Sequence, residues 1–116
     1  MGKSENLALV LSERVKVANM NKPADLILLG ARVVDFISKN IIDTNIAVSG
    51  GYIAAIGREY KEAREIIDLQ GGFVTPGLID AHLHIESTLL YPPALAEVLI
   101  AHGTTSVISD PHEIAN

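Results

Sequence analysis

The chain has no cysteine among its 116 residues. Disulfides, cysteine zinc sites and thiol nucleophiles are therefore excluded, and a reducing cytosol suits the composition. Positive charge is also short: 9 Lys+Arg against 14 Asp+Glu leave a formal net charge of −5. Nucleic acid and anionic membrane both demand a basic face, so neither is expected as the main partner. No apolar run approaches the roughly 18 residues of a membrane span. In the N-terminal stretch MGKSENLALVLSERVKV, the charges of Glu13, Arg14 and Lys16 interrupt the short apolar patch that a signal peptide would keep. Asn6 stands where an N-myristoylation signal needs Ser or Thr. There is no internal repeat and no low-complexity tract. Apolar content, in contrast, is ample: 48% hydrophobic residues suffice for a core and argue against disorder. The length suits one small domain at most.

Leu7, Val10, Leu11, Val15 and Ala18 recur at helical spacing, which predicts a helix over residues 5–19 with Ser4 as N-cap. Such a helix serves as a packing or oligomer element, and it defines a first segment, residues 1–22. From Asp25 the pattern changes to branched aliphatics, DLILLGARVVDF, as in a strand. Gly50-Gly51 between two apolar runs signals a hairpin, because glycine accepts the positive φ of tight hairpin turns. EIIDLQGGFV reads as a further strand, interrupted at Gly71-Gly72. Residues 23–76 thus read as a small, mostly antiparallel sheet domain with few convergent polar groups, and no chemistry is assigned to it.

Thr75-Pro76-Gly77 marks a boundary. Beyond it, Gly77 to Ile85 reads as a strand, and PPALAEVLIAH as a helix with proline at its start and Gly103 just past its end. TTSVIS reads as a second strand. Strand, helix, strand is a βαβ unit, which implies parallel pairing. Asp110-Pro111-His112-Glu113 then resembles the start of another helix, with Asp110 as N-cap. A helix begun and a two-stranded parallel sheet with uncovered faces lead to the expectation that residues 77–116 open a longer fold.

Residues 79–87 read IDAHLHIES. On a strand, Asp80, His82, His84 and Glu86 share one face, and Ile79, Ala81, Leu83 and Ile85 the other. One reading is a half-buried strand with a solvated polar side. The other is part of a metal site. Side chains two apart on a strand start roughly 6.6 Å from each other, and imidazole nitrogens can converge from there on one cation at about 2.0–2.1 Å each. The neighbouring acids favour the second reading, because a metal-bound histidine usually has an outer acceptor. His102 ends a helix, where the dipole favours it. His112 and Glu113 follow the second strand, at the same end as His84 and Glu86, where sites gather in parallel α/β folds. A ligand role for them stays open.

A sheet domain leading into VTPGLIDAHLH resembles the amidohydrolase superfamily, and HLHIESTLL, AHGTTSVISDPHEIAN, ADLILLGARVVD and AVSGGYIAAIG resemble the N-terminal part of its adenine deaminases. The resemblance covers nearly the whole chain. It implies a small β-sandwich-type domain leading into the first βαβ unit of a (β/α)8 barrel that is incomplete in these residues. It implies a divalent metal, in a two-metal centre of manganese or iron, with His82 and His84 as two of its ligands. Adenine would be the substrate, hydrolysed to hypoxanthine and ammonia in the cytoplasm. Glu86 stands where the dihydroorotase-like branch has an arginine that grips a substrate carboxylate, and a carboxylate there suits N–H groups of a neutral purine instead. Asp80, Glu86, Asp110, His112 and Glu113 are the substrate-facing or outer-shell candidates. The late-strand acid and the remaining ligands fall outside the 116 residues, so the isolated chain is expected to be inactive. A homo-oligomer, or association with a C-terminal portion, is expected. The competing readings are another amidohydrolase acting on a cyclic amide or amine, and a non-catalytic interaction module.

Overall fold

The structure, a computed structural model, describes residues 3–110. It divides between Thr75 and Pro76 into two compact units, where one small domain was the expectation from length.

The first unit contains α1 (Lys3–Ala18), β1 (Ala24–Asp35), β2 (Asn40–Ser49), β3 (Tyr52–Ile56), β4 (Ala63–Asp68) and β5 (Phe73–Val74). The strands form one sheet in the order β3-β2-β1-β4, with β5 also on β1. The β1–β2 and β2–β3 pairings are antiparallel, as expected. β4 and β5 pair parallel to β1, so the sheet is mixed. The layer over it is α1, which packs on β2 and β3, rather than a second sheet. The Gly50-Gly51 turn has φ of 59° and 78°, which glycine accepts without cost.

A bulge in β1 between Leu28 and Ala31 explains the break at Gly71-Gly72. Gly30 takes φ 65° there, β4 pairs as far as Leu29, and β5 resumes at Arg32. Asn45, buried in β2, fixes this point. Its Oδ1 accepts the Gly30 N–H at 2.9 Å, and its Nδ2 donates to the carbonyls of Arg58 and Tyr60 at 3.2 and 3.1 Å.

The core gathers Val17, Ala24, Ile27 and Ala47, edged by Leu29, Ala54, Ala55, Tyr60 and Ala63. Burying Ile27 alone contributes about 1.5–3 kcal/mol. Two helix expectations need correction. α1 already includes Lys3, so Ser4 lies within it rather than capping it. Of the expected stripe, Leu7, Leu11 and Val15 are exposed and Val10 and Ala18 half-buried, and the fully buried residue is Val17. Arg14, three residues before Val17, donates to the Ile53 carbonyl at 3.1 Å and lies over the Tyr52 ring, which turns that face to the sheet. Tyr60 Oη donates to the Ala18 carbonyl at 2.8 Å, tying the helix end down. The helix is thus part of this unit and not a segment apart.

The second unit contains β6 (Leu78–Leu83), a 3-10 turn (Glu86–Thr88), α2 (Pro92–Ala101) and β7 (Thr104–Ser109). β6 and β7 pair parallel, and α2 packs on β7. Pro92 opens α2 after an extended Tyr91, and Gly103 (φ 85°) follows its end. Leu95 is the buried hydrophobic of this unit among the described residues, while Ile79, Ile100 and Ile108 are exposed. The strand faces are therefore largely uncovered, as the two-strand argument anticipated. No helix among the described residues is long and apolar enough to cross a membrane.

Candidate functional site

The polar residues of IDAHLHIES do not lie along one uninterrupted strand, as periodicity predicted. β6 ends at Leu83. Asp80 stands opposite Val107 and Leu83 opposite Ser109, so β6 holds one residue more than β7 between these pairs. That bulge contains His82, and bulges of this kind re-aim side chains. Ile85 then takes helical angles (φ −59°, ψ −44°) and Glu86 enters the 3-10 turn. Thr88 Oγ1 closes the turn on the Ile85 carbonyl at 2.6 Å. Alternation continues in the sequence beyond the point where pairing stops, which is why the strand was read as two residues too long.

The two histidines nevertheless converge. His82 Nε2 and His84 Nε2 are 3.1 Å apart, with the rings nearly edge to face at 72°. Two nitrogens bound to one cation at about 2.0–2.1 Å, at ordinary angles, stand roughly 2.8–3.4 Å from each other. The observed separation falls in that interval. The same distance also permits one Nε2–H to donate to the other nitrogen when no ion is present.

Glu86 lies behind His84. Its Oε1 is 3.5 Å from His84 Nδ1, within ion-pair reach though beyond an ordinary hydrogen bond, and its side chain is only 8% exposed. Both carboxylate oxygens are buried without a hydrogen-bond partner. A buried, unsatisfied carboxylate is costly unless positive charge is near. A cation on His84 would supply that charge, so the residues present fit a metal ion.

Asp80 does not join the imidazoles. Its Oδ1 accepts the backbone N–H of His82 at 3.1 Å, which stabilises the bulge. Asp110 directly follows β7, at the same strand end as His84, and is exposed. His112 and Glu113 lie outside the described residues. His102 sits at the opposite end, before β7, where its Nδ1–H donates to the Val98 carbonyl at 2.8 Å, a structural role at the helix terminus. Sequence reasoning passed over Ser109, whose buried Oγ has no hydrogen-bond partner among the described residues, at the site end opposite Leu83. Its one signal was a polar residue closing an apolar strand. No group of three or more potential ligands forms among the described residues. Among the described residues two imidazoles thus meet at one point, which can hold an ion but does not enclose it.

Residues 73–116 match the amidohydrolase family. The chain is 45% identical over 106 residues to an adenine deaminase of Listeria welshimeri, covering 91% of this chain and 18% of that protein. It is 51% identical over 102 residues to an adenine deaminase of Kosmotoga olearia, covering 88% and 18%. The chain therefore spans about a fifth of the length of the curated relatives it matches. Among solved structures, L-hydantoinase (dihydropyrimidinase) from Arthrobacter aurescens aligns with a TM-score of 0.62 at 31% identity, over 76% of this chain and 21% of that one. D-aminoacylase, described as having a binuclear metal centre, aligns with a TM-score of 0.62 at 35% identity, over 75% and 18%.

Proposed function

We propose that this chain, which carries the amidohydrolase family match and resembles the N-terminal portion of adenine deaminases, supplies the first two metal ligands of an adenine-hydrolysing site. The observation that carries the reading is the 3.1 Å approach of His82 Nε2 to His84 Nε2 at the end of a parallel strand pair. The reaction proposed for the whole protein replaces the exocyclic amine at C6 of adenine by water, giving hypoxanthine and ammonia. A bound divalent ion, manganese or iron in this reading, would acidify a water enough to serve as nucleophile near neutral pH.

The chain's own residues do the rest of what can be argued. His82 and His84 present their ring nitrogens, Asp80 holds the His82 backbone, and Glu86 brings a carboxylate to the site. Although its oxygens are buried, that carboxylate's charge disfavours acidic substrates and is compatible with a neutral purine. Asp110 follows β7 at the same end, and it is proposed, with His112 and Glu113 that come next in the sequence, as a substrate-facing or outer residue. A cytosolic setting suits a chain without cysteine.

A chimera tests this. These residues would replace the matching segment of the Listeria welshimeri relative. The expected result is metal-dependent ammonia release from adenine, lost with His82→Ala or His84→Ala. A folded, metal-filled chimera that leaves adenine intact but hydrolyses a cyclic amide would overturn the purine reading in favour of another amidohydrolase activity.

A further inference from the structure

We propose that Glu86 is a positioning residue that holds the His84 ring with Nδ1 protonated and Nε2 bare, so that Nε2 is the atom offered to a cation. This rests on the metal reading above and decides between the two roles left open for Glu86, facing the substrate or standing behind a ligand.

Three observations carry it. The carboxylate oxygens of Glu86 have essentially no accessible surface, so they cannot meet an incoming base. The His84 ring nitrogen that faces Glu86 Oε1, at 3.5 Å, is Nδ1. The other ring nitrogen, Nε2, is the one that meets His82 at 3.1 Å. A neutral imidazole carries its single proton on one nitrogen, and an ionised carboxylate can only accept. A bare Nδ1 would set two lone pairs against each other in a buried place. A protonated Nδ1 turns the positive end of its N–H toward the carboxylate and leaves Nε2 unprotonated. Cation binding at Nε2 then makes Nδ1–H a stronger donor, which tightens the contact with Glu86.

His82 is arranged differently, since the nearby Asp80 carboxylate is used by the His82 backbone N–H. In the metal-free chain, His84 Nε2 is therefore the acceptor of the 3.1 Å contact and His82 Nε2–H the donor. The two rings hold opposite tautomers until a cation arrives.

The test uses the 116-residue chain with 15N-labelled histidine, metal-free, at about pH 8, where an ordinary imidazole is neutral. Wild type is expected to show the Nδ1–H form at His84 and the Nε2–H form at His82. Glu86→Gln, whose amide oxygen still accepts, is expected to keep this pattern. Glu86→Leu is expected to release His84 to a mixture and to lower Mn2+ affinity roughly 10–100-fold, as measured by titration. An Nε2–H form at His84 in wild type, or an unchanged pattern in folded Glu86→Leu, would overturn the proposal. Should Glu86→Leu lose its amide dispersion and fail to fold, the wild-type and Glu86→Gln patterns decide by themselves. Expected tautomers with no Mn2+ uptake by wild type would count against the metal reading and leave the positioning role standing.

Discussion

Leu83 lies opposite Ser109 in the parallel register of β6 and β7, so His84 and Asp110, the residues that follow them, leave their strands at one end. This shared exit separates the site from the packing of the unit, whose buried Leu95 is on α2. His82→Ala and His84→Ala should therefore abolish divalent-ion uptake while changing stability by less than about 0.5 kcal/mol. Elemental analysis after dialysis against Mn2+, with urea unfolding alongside, checks both halves. The unsubstituted 116-residue chain should release no ammonia from adenine, because two imidazoles do not close a site. Robust release would sink that expectation.

Asn45 holds the β1 bulge through three hydrogen bonds and is only 6% exposed. Asn45→Ala leaves the Gly30 N–H and the Arg58 and Tyr60 carbonyls short of a partner, and should cost about 1–3 kcal/mol. Asn45→Asp should cost more, since a carboxylate would serve the Gly30 N–H but oppose both carbonyls. Denaturant midpoints of the two variants give the order.

A Cβ on Gly77 would stand 2.7 Å from Thr105 Cβ, at the start of the β6–β7 pair. Gly77→Ala should therefore destabilise the second unit through a clash with a side chain stiff at its branch point. Adding Thr105→Gly should recover part of the loss. A double-mutant cycle showing no coupling would mean that the close approach is not the cause.

The ammonium groups of Lys16, at 2.6 Å, and of Lys22 hold the Glu13 carboxyl down to about 2 from its ordinary 4.5. A carboxyl depressed in the folded state stabilises above its unfolded value, and that contribution disappears as pH falls through the folded value. The effect belongs to the window between about 4.5 and about 2. In Glu13→Gln, stability should vary less with pH across that window, and added salt should weaken the wild-type dependence because the pair is near the surface. Carboxyl NMR titration locates the midpoint directly.

Local chemistry made much of this legible. Gly50-Gly51 announced its hairpin, Pro92 and Gly103 bracketed their helix, and strand-helix-strand spacing implied the parallel pair that places His84 and Asp110 together. What escaped depends on distant partners. Nothing near residues 63–74 says that β4 and β5 run parallel to β1, since that is settled by contact with residues some forty positions earlier. The helix turns Arg14 and Val17 to the sheet and leaves Leu7, Leu11 and Val15 exposed, a choice that helical spacing alone does not reveal. Asn45 looked like any polar strand residue until the Gly30 bulge was opposite it. The early end of β6 was hidden because IDAHLHIES keeps its alternation after the hydrogen-bonded ladder has stopped.

That early end has a consequence for the two imidazoles. His82 lies in the bulge between the paired residues Asp80 and Leu83, whereas His84 stands just past the last pair, beside the helical joint at Ile85. The two mounts are unlike: one ring rides between paired residues of the sheet, and the other takes its footing from the turn and from the Glu86 carboxylate behind it. A change to the turn would therefore reach one imidazole and spare the other.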